Sequence, residues 1–69
     1  MNRIPTGSSS LVSAGYDAST LVLELEFQNG HVYQYFDVPQ AVYDEFVSAP
    51  SKGTFVNTVI KPSYRYARL

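Results

Sequence analysis

The chain predicts an α+β domain: a three-stranded antiparallel β-meander followed by two helices packed on one of its faces. Three observations carry this expectation. Apolar and polar residues alternate with period two through the first half. An Asn-Gly pair, the preferred content of a tight hairpin turn, separates two of the alternating runs. After Asp37-Val38-Pro39 the apolar spacing changes to that of helices lying on a sheet.

Residues 1–9 contain Pro5, Gly7 and a serine run without periodicity, which reads as a flexible N-terminal arm; residues 10–69 form the single domain. In the next segment Val12, Ala14 and Tyr16 alternate with Ser13 and Gly15, a short strand that Asp17-Ala18-Ser19 turns. In residues 20–28, Leu21, Leu23, Leu25 and Phe27 share one face while Glu24, Glu26 and Gln28 share the other. One face is therefore buried and the other wet. A two-residue type I′ turn at Asn29-Gly30 opposes Phe27 to Val32, Glu26 to Tyr33, Glu24 to Tyr35 and Leu23 to Phe36. Tyr33 and Tyr35 then stand on the wet face; a one-residue bulge at the turn would shift these partners.

Asp37 is the expected N-cap of the first helix, with Pro39 in its first turn, where a missing N–H costs nothing. Val42, Tyr43, Phe46 and Val47 make its apolar stripe, and Ala49-Pro50 ends it. Ser51 caps the second helix, whose stripe is Phe55, Val56, Val59 and Ile60 and which Pro62 stops. The expected core is Leu23, Leu25, Phe27, Phe36, Val42, Phe46, Phe55 and Val59, the set that satisfies both periods. Residues 63–69 are a short C-terminal edge strand or a docked tail.

The 69 residues leave room for one core only. Hydrophobic residues at 45% and charged residues at 16% exclude an intrinsically disordered chain. No apolar run approaches the roughly 18 residues of a membrane span, and there is no secretory leader pattern. With no cysteine, disulfides and thiolate metal sites are excluded, which fits a cytoplasmic protein. His31, the single histidine, falls at the hairpin tip, where neither a general base nor a metal cluster can be assembled. Glu24 and Glu26 read as solvated carboxylates, and the serines lack a base. No catalytic residue, cofactor or metal is expected.

The residues Gly15-Tyr16-Asp17, Leu25-Glu26-Phe27, Asn29-Gly30, Val32-Tyr33-Gln34-Tyr35, Asp37-Val38-Pro39, Ser51-Lys52-Gly53, Asn57 and Tyr64 together resemble the KTSC family. That family is a small module found at the C-terminus of some lysyl-tRNA synthetases and as a stand-alone bacterial protein. Its centre is a Tyr-x-Tyr motif, matched here by Tyr33 and Tyr35. The resemblance covers the chain after its arm and implies RNA as a ligand. Thr54 and Thr58 stand around Asn57 where relatives often carry basic residues, which weakens any phosphate site on the second helix.

The net charge of −1 hides a segregation: all six acids precede Pro50, whereas Lys52, Lys61, Arg65 and Arg68 follow it. The tail thus carries four positive charges and no negative one. Tyr33 and Tyr35 have the spacing with which single-strand binders stack successive bases. Lys52 stands at a helix N-terminus, where an anion is favoured, and Lys61, Arg65 and Arg68 are interleaved with Tyr64 and Tyr66. Each feature has a plain structural reading as well, in strand packing, helix capping or solvated charge. The expected function is a non-catalytic binding module for tRNA or single-stranded RNA. The competing expectation is a protein-interaction module or homodimer without a nucleic-acid ligand.

Overall fold

In the computed structural model, which describes residues 2–69, five antiparallel strands lie in sequence order: β1 (Ile4–Pro5), β2 (Leu11–Asp17), β3 (Val22–Phe27), β4 (Val32–Tyr35) and β5 (Tyr66–Arg68). Helix α1 (Gln40–Ser48) is followed by α2 (Lys52–Phe55), a π-helical turn (Val56–Ile60) and α3 (Lys61–Ser63), which run on as one helical stretch. The α+β class and helix-covered face agree with the sequence, but the meander has gained a strand at each edge.

The first strand corrects one expectation, and the last decides between the two alternatives left for the C-terminus. The supposed arm supplies β1, in which Ile4 opposes Ala14 and Pro5 opposes Ser13. Arg3 fastens it to the open face of the sheet, 3.4 Å from a carboxylate oxygen of Glu24 and 3.9 Å from one of Glu26. Met1 of that arm lies outside the described residues. At the other edge, the last residues are a strand: Tyr66 opposes Tyr35, Ala67 opposes Gln34 and Arg68 opposes Tyr33.

The hairpin differs by one residue from its expected register. Phe27 N–H donates to the His31 carbonyl at 3.0 Å and Gly30 N–H to the Phe27 carbonyl at 2.9 Å, enclosing a three-residue loop with Gly30 at φ 87°. That is a type I turn closed by a left-handed glycine, the bulged alternative to a type I′ turn. Leu23 therefore opposes Tyr35, Leu25 opposes Tyr33 and Glu26 opposes Val32. Because side chains alternate strictly, the slip carries Tyr33 and Tyr35 from the wet face to the helix-covered face. Gln34 takes the wet position and donates to Glu24 at 2.9 Å, beside Ser13, which donates to Glu26 at 3.0 Å.

The slip also redraws the core. Leu23, Leu25 and Phe46 are buried, with Phe27, Val42, Phe55 and Val59 packed half-buried against them. Phe36 is outside that cluster, and Tyr35, Leu11, Ala14, Val38, Val56 and Ile60 belong to it. Leu11 enters because β2 carries a register shift between Leu11 and Ser13, which leaves Val12 exposed.

Asp37 is not the helix cap. It sits at φ 60° and turns its carboxylate to Arg65, while Pro39 occupies the N-cap position without a side-chain hydrogen bond. The linker is held instead by Val38, whose N–H donates to the Leu21 carbonyl at 2.9 Å and whose carbonyl accepts the Tyr16 hydroxyl. Tyr16 in turn stacks on Tyr43 of α1, with ring centroids 4.6 Å apart. Ser51 caps α2 as expected, accepting the Thr54 N–H at 3.3 Å.

Pro62 does not stop the second helix at once. The Lys61 N–H reaches back to the Val56 carbonyl, five residues earlier, and the chain leaves the helix at Tyr64. The wider turn accommodates a proline whose ring would otherwise press on the carbonyl four residues before it.

Candidate functional site: an aromatic groove at the β4–β5 edge

The two helices cover the middle of the sheet and leave its β4–β5 end open. There Phe27, Asn29, Tyr33, Tyr35, Lys61 and Tyr66 line a groove of about 400 Å³. Alternation along β4 puts Tyr33 and Tyr35 on this face, and the β4–β5 pairing sets Tyr66 beside them. The rings form one cluster: Tyr33 to Tyr35 6.4 Å between centroids, Tyr33 to Tyr66 5.5 Å and Tyr35 to Tyr66 5.8 Å. Phe27 meets Tyr33 edge-on at 5.4 Å. Burial is graded across the cluster, from Tyr35 at 2% exposed to Tyr66 at 60%.

The polar groups at the groove are an amine, an amide and the tyrosine hydroxyls. Lys61 Nζ lies 5.3 Å from the Phe27 ring centroid, a cation–π contact that holds the amine over the apolar floor. Asn29 Oδ1 accepts the His31 N–H at 3.0 Å, which fixes the amide against the turn with its NH₂ and one oxygen lone pair available for other contacts. Burial first, then the neighbouring Tyr33 and Tyr66, push the Tyr35 hydroxyl above its ordinary pKa, so it stays protonated at neutral pH. No carboxylate lines the groove. Glu24 and Glu26 face away, held by Arg3, Ser13 and Gln34, so the acidic face and the aromatic face are opposite sides of one sheet.

The residues singled out from sequence are thus partly assembled. Tyr33, Tyr35, Tyr66 and Lys61 come together, and Arg68 follows two positions after Tyr66 on the same edge strand, opposite Tyr33. Arg65 turns elsewhere, 3.1 Å from Asp37 and 5.9 Å from the Phe36 ring centroid. Tyr64 packs half-buried against the core. Lys52 lies apart, its amine donating to the Ala49 carbonyl at the end of α1. Phe27 and Asn29 were read as core and turn; their part in the groove follows from the bulged hairpin, whose alternative register the sequence left open. Among the described residues no cluster of His, Asp and Glu gathers as a metal site requires. Nor is any helix among them long and apolar enough to cross a membrane.

The family model for the KTSC domain matches residues 7–64. A protein of Stutzerimonas stutzeri is 44% identical over 70 residues, covering 100% of this chain and 99% of its own length. A protein of Tsukamurella paurometabola is 42% identical, with 94% of this chain and 97% of the relative covered. A lysine–tRNA ligase of Trichormus variabilis is 43% identical over 54 residues, which make up 78% of this chain and 10% of the ligase. The crystal structure of a KTSC domain protein from Yersinia pestis superposes with a TM-score of 0.95 at 38% identity, covering 99% of this chain and 96% of the other. Family model, full-length relatives and solved structure agree: this chain belongs to the KTSC domain family.

Proposed function

We propose that the domain is a non-catalytic binding module for tRNA or another single-stranded RNA, with a base seated on the tyrosine groove and the backbone passing the cations of the C-terminal segment. The observation that carries this reading is the placement of three tyrosines in one open groove beside Lys61 and Arg68, with Glu24 and Glu26 on the opposite face. Ring faces at this spacing accept any base, and the sheet separates them from Glu24 and Glu26. Similarity to one tenth of a lysine–tRNA ligase supports an RNA ligand without transferring that enzyme's activity.

Titration against bulk tRNA and a single-stranded RNA at two salt concentrations tests the reading. Two cations (Lys61 and Arg68) border the proposed path, so the slope of log affinity against log salt is expected to be no steeper than about −1.4. Tyr66→Ala should cost about 1–3 kcal/mol of binding with little change in slope, whereas Arg68→Ala should flatten the slope by roughly 0.7. A folded protein that binds neither RNA at low salt would overturn the reading.

The full exposure of β5 at the sheet edge favours a second reading, strand addition by a protein or a second copy. A dimer in gel filtration that Arg68→Pro, which removes an N–H on the outward side of β5, returns to monomer would support it.

A further inference from the structure

We propose that the aromatic groove selects guanine, with Lys61 as its specificity-determining residue. This rests on the RNA reading above and names the base that the site takes. The argument comes from the groove's hydrogen-bonding inventory. Lys61 contributes a cationic amine, a donor without acceptor capacity. Asn29 would ordinarily suit adenine, since a free side-chain amide offers adenine N6–H₂ an acceptor and N7 a donor together. Here its Oδ1 already accepts the His31 N–H at 3.0 Å, which fixes the amide against the turn and leaves one lone pair beside the NH₂ group, so Lys61 rather than Asn29 carries the discrimination. The tyrosine hydroxyls can adapt to either role, and no carboxylate lines the groove to accept from an exocyclic amine.

A flat ligand that fits this rim turns an acceptor edge to the Lys61 amine. Guanine presents N7 and O6 side by side, and lysine is among the side chains that commonly recognise that pair. Adenine would set its N6–H₂ donor against the ammonium of Lys61. The pyrimidines give a smaller face to stack against Tyr66 and Tyr33. The cation–π contact with Phe27 fixes the amine over the floor of the groove before a base arrives, so less side-chain freedom is lost on binding.

The test is fluorescence anisotropy with labelled eight-nucleotide adenosine RNA and the same RNA carrying a central guanosine, with free GMP as competitor. The guanosine-containing strand is expected to bind about tenfold tighter, the range a well-formed base contact provides. Lys61→Met should lower its affinity to that of the adenosine strand, and Lys61→Arg should retain the preference; circular dichroism of each variant checks that the fold persists. Equal binding of both strands by the wild type, or a preference that survives Lys61→Met, overturns the guanine assignment and leaves the RNA reading intact. If GMP competes as strongly as the guanosine strand itself, the guanine site stands and the RNA reading falls, because a free nucleotide is then sufficient. Absence of binding to every probe removes both.

Discussion

Gly30 holds the hairpin loop closed in the left-handed region, at φ 87°, with open space where a Cβ would project. A side chain there meets no neighbour, so a substitution is penalised by backbone conformation alone. Gly30→Val is expected to lower unfolding free energy by about 1–2 kcal/mol, the left-handed penalty for an L residue, in a urea melt. His31→Ala should be neutral, since the groups His31 uses in the turn are its backbone N–H and carbonyl. Leu25 lies at the centre of the sheet with no exposed surface, so Leu25→Ala should cost about 2–5 kcal/mol through lost burial and the cavity left behind. A domain of this size has few kilocalories to lose, and the variant should be largely unfolded at 37 °C by circular dichroism.

At the scale of elements, the first strand is the most weakly secured. β1 is two residues long, and Arg3 holds it through half-buried Glu26 and through Glu24, which is buried rather than solvated as the sequence suggested. Glu24 keeps its hydrogen bond from Gln34 when Arg3 is lost, so Arg3→Ala is expected to cost only about 1 kcal/mol globally. The same substitution should speed hydrogen exchange at the Thr6 amide, which donates to the Val12 carbonyl across the β1–β2 pair, and leave the β3 amides unchanged. Raised salt should have a similar effect on the wild type, by screening the pairs. Equal acceleration in β1 and β3 would show instead that β1 opens only with the whole domain. The helical stretch poses the opposite case, since its π turn is tied down by buried Val56 and Ile60 on the core side. That packing fixes the direction in which Lys61 leaves the helix.

For the whole molecule, high pH is the informative variable. Tyr35 and Tyr16 both have pKa values raised above the usual 10.0, each first by burial; Tyr33 and Tyr66 add to the shift at Tyr35, and Asp44 and Asp17 at Tyr16. Above the unfolded value the denatured chain releases these protons while the native chain keeps them, so the unfolded state binds fewer protons and stability falls as pH rises. Stability should therefore be flat with respect to these groups up to about pH 9 and decline from about pH 10 upward. Tyr35→Phe should reduce the steepness of that decline in denaturant midpoints taken between pH 8 and 11. An unchanged decline would show that the Tyr35 hydroxyl is not protected by the fold.

Sequence alone determined the elements whose signal is local. The alternation of Leu23, Leu25 and Phe27 against Glu24 and Glu26, the stripe ending in Val59 and Ile60, and the Ser51 cap all rest on contacts within a few residues or on one dominant period. The family followed from the same stretch, through the Tyr33 and Tyr35 pair in its setting. Tertiary structure decided everything that depended on a one-residue choice or on a distant partner. A type I′ turn and a bulged three-residue loop both suit Asn29-Gly30, yet they put Tyr33 and Tyr35 on opposite faces; the packing of Tyr35 against the core distinguishes them. The edge strands have too few residues to show a period, and each exists only because a longer neighbour offers it unpaired backbone groups. The groove inherits these dependences: Tyr66 reaches it through β5, Lys61 through the π turn and Asn29 through the bulge, none of which a period along the chain encodes.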